Sequence, residues 1–396
     1  MKKLFMYMFL FFVLFASDYI YGKEIKPGVI INKSNYSEYT SEMQKLFLPG
    51  TFKSVISGLK SDLITLPIVE TKKYPQGKYF DAATTKYHSS CRLNKKGELT
   101  GWKAGIPFPD PETALELMWN VDRRNITTDQ VTFFCTFSLY YRGEQERTFR
   151  WCYRNYYYTG RVYVPPIPEI PDNNGLVRVK ESMLIVDPYD VKDFCLLRVR
   201  YEPLDKIDDV YSYIPAIRRI RRLTGSDVCD PVLGSDLMYD DFEGIRQRFT
   251  PKMKFKMNKR DMLCRKHYLM EEQGIKITND AVQSEWEIRP VNILEVDIGD
   301  PEYMYSKRII PVELQRRTAV VHGFDGYDQR GRLMRSQEMV INAMMPKTYE
   351  NAIWRCGKFV NHETRHTTIM PFETKFADPE NKPEVFTFKY LLRTSK

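Results

Sequence analysis

The C-terminal third of the chain contains a spacing that is typical of zinc enzymes. His362, Glu363 and His366 form the pattern H-E-x-x-H within "CGKFVNHETRHTTIM". On a helix, this spacing places two imidazoles on one face, where they bind zinc, and the glutamate beside them acts as a general base. The pattern therefore makes a metallohydrolase one candidate.

The residues around this pattern favour a strand, a turn and a second strand instead of a helix. The flanking runs "IWRCGKFV" and "TTIM" are β-like, and no third ligand follows on a helical pattern. We interpret residues 361–363 as a hairpin turn and keep the zinc hydrolase as a disfavoured alternative. Because His88, His267 and His322 are scattered in the sequence, we expect them to form no cluster, and we expect no metal site, no cofactor and no catalytic residue.

A second candidate site is a cluster of four arginines, Arg218, Arg219, Arg221 and Arg222. One guanidinium group can donate two parallel hydrogen bonds to the oxygens of a phosphate, so this cluster is a candidate site for a lipid headgroup. Five aspartates follow between residues 227 and 241. We favour the alternative in which the arginines and aspartates pair with each other and hold a crossing loop on the sheet.

Other motifs with defined chemistry are missing from the sequence. There is no G-x-S-x-G elbow, no G-x-x-x-x-G-K-[ST] loop and no G-x-G-x-x-G opening a helix. The stretch "GFDGYDQRGRL" is typical of a turn with Gly331 in a left-handed conformation. We therefore expect Asp325 and Asp328 to form turns and not to act as catalysts.

The N-terminus and the overall charge indicate an exported protein. The 396-residue chain begins with Lys2 and Lys3, an apolar run over residues 4–16 and polar residues from Ser17, which is the pattern of a signal peptide. We expect a soluble protein in the periplasm. A net charge of +9 favours transient contact with anionic membranes and is too small to indicate a nucleic-acid partner.

Helical periodicity is concentrated near the N-terminus. Two helices are predicted between residues 34 and 63, interrupted at Pro49-Gly50. A third is predicted in "FPDPETALELMWN", with Asp110 as the cap and Pro111 at the first helical position. We expect the helices within 34–63 and 111–120 to provide a movable cover over a ligand cavity.

From residue 131 the apolar period changes to 2, which predicts a β-hairpin. Phe133 and Phe137 share one face with Trp151 and Tyr153. Such aromatic stripes are ordinarily core, but in an open curved sheet they are candidates to line a groove for acyl chains.

The register of this hairpin bears on the cysteines. A three-residue loop over 143–145 places Phe137 opposite Trp151, and we prefer it because it matches the apolar faces. This register disfavours a bridge between Cys135 and Cys152. The chain has seven cysteines, and their spacing leaves any other pairing open.

Strand-like runs continue from residue 176 to residue 370, and turn residues separate them. Such a succession predicts an α+β protein with a large antiparallel meander, either curled or closed. We divide the chain into a signal peptide (1–22), N-terminal helical segments that pack on the sheet (23–130) and the β-sheet itself (131–396).

Three long phrases together resemble one family. They are "AGIPFPDPETALELMWN", "YSYIPAIRRIRRLTGSDVCDPVLGSDLMYDDFEGI" and "YSKRIIPVEL…VVHGFDGYDQRGRLMR". The chain resembles the exported bacterial domain-of-unknown-function family 1329, which is grouped with outer-membrane lipoprotein-sorting proteins. The similarity runs from about residue 103 to residue 370. We assign a structural role to six acidic and tyrosine residues in these phrases: Asp236, Tyr239, Asp241, Asp325, Tyr327 and Asp328.

The resemblance implies a fold like that of the carriers LolA and LolB, a strongly curved antiparallel half-barrel with helices packed on its concave side. It also implies a non-enzymatic periplasmic protein of Gram-negative bacteria that carries a lipid, an acylated protein or another hydrophobic molecule between membranes. The implied partner is an inner-membrane transporter of the resistance-nodulation-division type. The alternative from the same family context is a structural adaptor of such a transporter.

Overall fold

The computed structural model describes residues 22–73, 78–124, 128–223, 230–250, 252–269, 272–314, 319–342, 353–373 and 381–394. The predicted signal peptide lies outside these residues except for Gly22, and Asp227 and Cys229 lie outside them as well.

The helices of the described residues are α1 (Tyr36–Leu46), α2 (Pro49–Lys60), α3 (Lys78–Tyr87), α4 (Ala114–Arg123) and α5 (Phe388–Thr394). The two helices predicted between residues 34 and 63 are α1 and α2. Pro49 occupies the first position of α2, where its fixed φ and missing N–H are tolerated. None of these helices combines the length and the apolar character that a membrane crossing requires.

Helix α4 begins later than the sequence predicts. Thr113 is its cap, since the Thr113 hydroxyl accepts the Glu116 N–H and the Glu116 carboxylate accepts the Thr113 N–H. The prediction that Asp110 caps the helix is therefore wrong. This reciprocal pair satisfies two N–H groups at once, which a single aspartate at residue 110 does not do.

The strands follow the predicted meander closely. They are β1 (Ile30–Ile31), β2 (Leu66–Pro67), β3 (Arg92–Leu93), β4 (Leu99–Thr100), β5 (Gln130–Tyr141), β6 (Glu144–Tyr157), β7 (Val177–Asp187), β8 (Cys195–Tyr201), β9 (Asp209–Ile214), β10 (Arg219–Leu223), β11 (Lys254–Arg265), β12 (Lys276–Thr278), β13 (Ala281–Gln283), β14 (Trp286–Asp297), β15 (Lys307–Glu313), β16 (Val320–Val321), β17 (Gly323–Tyr327), β18 (Leu333–Asn342), β19 (Ile353–Asn361) and β20 (His366–Glu373).

Fourteen of these strands form one antiparallel sheet. Its order is β10-β9-β8-β7-β6-β5-β20-β19-β18-β17-β15-β14-β11, with β16 paired to β15. The last strand, β20, pairs with β5 and so joins two meanders into one continuous sheet. Within the described residues the sheet does not close, and the predicted fold class, an α+β protein built on a large antiparallel half-barrel, is confirmed.

The sheet is strongly curved at its β11 end. The Arg265 guanidinium on β11 lies 2.6 Å from the Glu338 carboxylate on β18. Three strands, β14, β15 and β17, separate β11 from β18 in the sheet. An ion pair between side chains so far apart in strand order requires the sheet to curl.

The hairpin of β5 and β6 confirms the predicted apolar face but corrects the register. Phe137 pairs with Phe149 and Cys135 pairs with Trp151. Arg142 and Gly143 form a two-residue turn with φ values of 51° and 90°. A turn with two positive φ angles matches the twist of a hairpin, and a bulge next to Leu139 restores the aromatic face.

The two cysteines of this hairpin point to opposite faces of the sheet. Cys135 lies opposite Trp151, whereas Cys152 lies opposite Phe134. Neighbouring residues of a strand face opposite ways, so the two thiols are kept apart, as predicted. Four further buried cysteines form no disulfide among the described residues: Cys91, Cys195, Cys264 and Cys356.

Both faces of the sheet are covered. The face that carries Phe133 and Trp151, which we call the aromatic face, is covered by residues 230–250, the inner segment, and by α4. Helix α5 covers the other face over β7 and β8, where Leu184 and Leu197 contact Leu391. Helices α1 and α2 pack against the far ends of β11 and β14 through a separate apolar cluster.

Candidate functional site

The candidate site is a cavity of about 530 Å³ beside helix α2. We call it the α2 pocket. Helix α2 forms one wall from Lys53 to Ser61, and the turns at 142–144, 279–280 and 361–365 form the rim. The volume lies within the range of about 300–1,000 Å³ that is common for small-molecule sites.

The floor of the α2 pocket contains buried charges. The Lys358 ammonium donates a hydrogen bond of 2.9 Å to the Ser54 hydroxyl of α2. Burial lowers the pKa of Lys358, and the Glu338 carboxylate opposes this effect. Burial raises the pKa of Glu338, but Arg265 and Lys358 together bring it below its ordinary value, so this carboxylate stays ionised between two cations.

The remainder of the lining combines cations with aliphatic side chains. Two carboxylates, Glu144 and Asp280, line the pocket with five basic side chains, of which Arg265 also pairs with the buried Glu338: Lys53, Arg142, Arg265, Lys358 and Arg365. Val55, Leu63, Ile64, Val282 and Val360 supply apolar wall. A positively charged lining with apolar surface beside it suits an amphiphile that carries an anionic group.

Helix α2 is docked on the sheet through its first turn. The Asp325 carboxylate on β17 accepts the Gly50 N–H at 2.8 Å, which is an N–H without an intrahelical partner. Burial raises the pKa of Asp325 to about 7, although the bond from Gly50 opposes that rise. The expectation that Asp325 forms a turn is therefore wrong, since it lies inside a strand and binds a helix N-terminus.

Gly50 lets the first turn of α2 approach the sheet closely. A Cβ atom there would lie 2.4 Å from Asp325 Oδ1 and 2.4 Å from Ser336 Cβ. We expect Gly50→Ala to lower the free energy of unfolding by about 1–3 kcal/mol. The steric cost of the added Cβ atom should exceed the ~1 kcal/mol by which alanine stabilises a helix relative to glycine. Urea unfolding measures the change.

Ser57→Ala is the control for this prediction, since Ser57 is exposed on the same helix. It should change stability by less than about 0.5 kcal/mol. A Gly50→Ala protein as stable as the wild type would contradict the close docking of α2.

The H-E-x-x-H residues lie on a hairpin, as predicted, and not on a helix. Strands β19 and β20 pair at Asn361 and His366, so residues 362–365 are the turn. His362 Nε2 lies 2.9 Å from the Ser336 hydroxyl, and burial lowers the pKa of His362 to about 4.

His366 has quite different partners. Its two ring nitrogens lie 2.6 Å from Asp236 and 2.9 Å from Glu146. Burial lowers the pKa of His366, but the hydrogen bonds and charges of these two carboxylates raise it above its ordinary value overall. With both nitrogens engaged, His366 does not converge with His362 on a common point.

The arginine cluster is an exposed strand at one end of the sheet. Arg218 has a left-handed backbone with φ 51°, and β10 begins at the next residue. Arg222 pairs with Asp209 at 2.5 Å on the neighbouring strand. The cluster does not line the α2 pocket, and its role in ligand binding stays a prediction.

Three of the five aspartates that follow the cluster, Asp236, Asp240 and Asp241, have other partners, which corrects the favoured pairing with the arginines for these three. The Asp236 carboxylate accepts the Thr368 hydroxyl at 2.9 Å. Asp240 accepts the Tyr303 hydroxyl at 2.9 Å, and Asp241 forms an ion pair of 2.9 Å with Arg308. The reason is positional, since the inner segment carries these aspartates across the aromatic face and away from β10.

Two further motif residues have structural contacts. Tyr239 starts a short helical turn in the inner segment and lies 6.3 Å from the Phe242 ring. Asp328 accepts the Arg332 N–H at 2.8 Å in the turn after β17, and Gly331 has φ 75° there, as predicted. Tyr327 ends β17, and its ring faces the Lys307 ammonium.

The predicted aromatic groove is filled. The rings of Phe137 and Trp151 are tilted to each other with centroids 4.6 Å apart, and the ring of Phe242 of the inner segment lies 5.5 Å from that of Trp151. Phe133 and Tyr153 belong to the same cluster. The space left beside Trp151 and Tyr153 is about 20 Å³, so an acyl chain enters here only if the inner segment moves.

The sequence reasoning missed two groups of residues. The sequence does not distinguish Lys358 as a buried site residue, because a lysine within a β-like run is ordinarily exposed. His267 and His322 were treated as scattered, but both approach Glu313, so the expectation that they form no cluster is wrong. These residues are separated by 46 and 9 positions, and no short motif could have connected them.

A model of a family described as "Protein of unknown function (DUF1329)" matches residues 30–391. No functionally curated protein matches the chain significantly.

Several crystal structures are similar to the chain. A proposed outer membrane lipoprotein-sorting protein domain from Vibrio parahaemolyticus is 15% identical, with a TM-score of 0.49, over 71% of this chain and 98% of that one. A DUF1329 family protein from Desulfovibrio piger is 17% identical, with a TM-score of 0.48, over 70% and 95%. A LolA superfamily protein from Nitrosomonas europaea is 13% identical, with a TM-score of 0.43, over 71% and 100%.

Proposed function

This chain belongs to the DUF1329 family, and we propose that it binds and carries an amphiphilic molecule with an anionic group, without catalysing a reaction. A lipid or an acylated protein has this chemistry. The observation that carries the proposal is the α2 pocket, where five basic side chains stand beside an aliphatic wall in about 530 Å³.

The position of α2 supports reversible binding. At Gly50 and Ser54 the helix contacts the sheet through small or polar groups, whereas Val55 and Leu59 hold it in the apolar cluster with β11 and β14. A movement of α2 that keeps this apolar cluster closed therefore exposes little apolar surface. Movement of α2 would open the pocket, and movement of the inner segment would open the aromatic face to an acyl chain. Each buried methylene contributes about 0.8 kcal/mol to such binding.

The cellular setting is part of the proposal. The signal-peptide pattern of residues 1–22 supports export to the periplasm. The net charge of +9 supports transient contact with anionic membranes, and an inner-membrane transporter would deliver or receive the ligand. The adaptor alternative differs in its ligand, which would be a segment of that transporter.

The test compares ligand recovery and binding in matched variants. Lipids extracted from protein purified from the periplasm are identified by mass spectrometry, and a fluorescent fatty acid is titrated into the delipidated protein. We expect the double variant Lys53→Gln/Arg365→Gln to bind the probe about 5–30-fold more weakly, because it removes two charge-assisted contacts at the pocket rim, each worth about 0.5–1 kcal/mol in water.

The control is Lys254→Gln/Lys256→Gln, which removes the same charge from exposed positions on β11. It should bind the probe as the wild type does. Loss of binding in Arg219→Gln/Arg221→Gln alone would move the anion site to β10. Recovery of no amphiphile, together with no probe binding, would contradict the carrier function, and co-purification of a transporter without lipid would favour the adaptor.

A further inference from the structure

We propose that His267, Glu313 and His322 form a binding site for a first-row divalent metal ion, with Zn²⁺ the best fit. The site is separate from the α2 pocket and from the H-E-x-x-H hairpin. It does not depend on the carrier function.

The three side chains direct one ligand atom each at a common point. Glu313 Oε2 lies 3.5 Å from His267 Nε2 and 2.9 Å from His322 Nε2. The three atoms all lie within 4.8 Å of one another. In a tetrahedral zinc site with bonds of about 2.0–2.1 Å, neighbouring ligand atoms are about 3.3 Å apart. The two measured separations bracket this value.

The distance from Glu313 to His322 is that of a hydrogen bond, whereas the distance to His267 suits a shared metal ion better. An N–H···O hydrogen bond is about 2.7–3.2 Å long, so 3.5 Å is long for such a bond but suits two ligands of one ion. Two imidazoles and one carboxylate are also the ligand set that zinc and other first-row divalent metals accept in open sites.

A second layer of contacts orients the carboxylate. Arg289 donates to Glu313 Oε1 at 2.8 Å, which leaves Oε2 turned towards the two imidazoles. Arg289 is itself paired with Glu287. Outer contacts of this kind fix ligand orientation in metal sites.

The two histidines are fixed by the main chain around them. The His322 N–H donates to the Pro311 carbonyl at 3.1 Å, and the His322 carbonyl accepts the Met339 N–H at 3.0 Å. Next to His267, the Tyr268 N–H donates to the Ile341 carbonyl at 2.9 Å. Glu313 ends β15, and the two histidines lie next to strands of the sheet, so these main-chain contacts favour a preformed site.

A small cavity lies beside His322. Its volume is about 20 Å³, and Cys264 and Thr51 also line it. A water molecule needs about 10–15 Å³. A water at the His322 end of this cavity would be the candidate for the fourth ligand that an open zinc site keeps.

The first experiment measures metal content. The mature full-length chain is purified without a chelator and without a polyhistidine tag, and its metals are measured by mass spectrometry. We expect about one metal ion per chain in the wild type and in His88→Gln, which removes an exposed imidazole elsewhere. Glu313→Gln and His322→Gln should contain less than about a tenth of this amount.

The second experiment uses metal added to the metal-free wild type and so does not depend on the folding of a variant. Co²⁺ should give the visible bands of a tetrahedral N/O site, and Zn²⁺ should raise the melting temperature and displace Co²⁺. Substitutions of residues that only orient a metal ligand weaken metal binding by about 10–100-fold. Glu313 is proposed as a ligand itself, so Glu313→Gln should weaken Co²⁺ binding by more than about 100-fold.

Two results would overturn the proposal. One is a wild type that contains no metal and shows neither Co²⁺ bands nor a Zn²⁺-dependent rise in melting temperature. The other is metal content or Co²⁺ affinity in folded Glu313→Gln equal to that of the wild type. Either result would identify the three residues as a hydrogen-bonded network.

Discussion

Asp241→Ala is expected to lower the free energy of unfolding by about 3–5 kcal/mol, because it leaves a buried guanidinium without its counter-charge. Asp241 is fully buried and lies 2.9 Å from Arg308 on β15. It also accepts the Tyr305 hydroxyl at 3.2 Å and the Met238 N–H at 3.3 Å. These contacts hold the middle of the inner segment against the aromatic face.

Release of the inner segment should also be visible before the protein unfolds. In Asp241→Ala the aromatic cluster around Trp151 and Phe242 should become accessible, so a dye that binds apolar surface should fluoresce more strongly in buffer without denaturant. Urea unfolding gives the change in stability, and the dye titration gives the change in exposed apolar surface.

Asp230→Ala provides the matched comparison, since Asp230 is an exposed aspartate at the start of the same segment. It should change stability by less than about 0.5 kcal/mol and leave dye binding unchanged. If Asp241→Ala and Asp230→Ala behaved alike, the inner segment would not depend on the Asp241–Arg308 ion pair.

The second large effect is a pH dependence that Asp325 should confer on stability. Burial raises the pKa of Asp325 to about 7 from an ordinary value of 3.8. The folded protein therefore binds a proton more tightly than the unfolded chain does. The stability that this group contributes is complete below pH 3.8 and is lost as the pH rises through about 7.

Asp325→Asn removes this titration and keeps a carbonyl oxygen to accept the Gly50 N–H. Relative to this variant, the wild type should lose up to about 4 kcal/mol of unfolding free energy between about pH 4 and pH 8, since each pKa unit corresponds to about 1.36 kcal/mol. Urea unfolding of both proteins across this range gives the difference, in which the other titrating groups cancel. Parallel pH profiles would show that Asp325 ionises normally.

The sequence predicts local structure in this chain because the signals are local. Pro49 marks the start of α2, and alternation of apolar residues marks β5 and β6. The turn at residues 362–365 follows from β-like runs on both sides. In each case, neighbouring residues in the sequence determine the conformation.

The errors concern what only the folded chain brings together. The hairpin register depends on a bulge at Leu139, and the residue types around Leu139 do not reveal that bulge. Asp325 accepts the N–H of Gly50, which is 275 positions away in the sequence. In the sequence, Asp325 stands among glycines and aspartates that are typical of a turn. His267 and Glu313 meet for the same reason, because distant strands are joined by the curvature of the sheet.

The unpaired edge strands of the open sheet bear on whether copies of the protein can associate. Within the described residues, the sheet ends at β10 and β11, and each strand carries exposed cations: Arg219, Arg221 and Arg222 on one, and Lys254, Lys256 and Lys259 on the other. An unpaired edge is a template on which a second chain can add strands. Two copies that met edge to edge would place these cations about 4.8 Å apart, which is inside the screening length of about 8 Å at physiological salt. We therefore expect the arginine cluster to act against fibre growth and to let a half-barrel keep its edges open without polymerising.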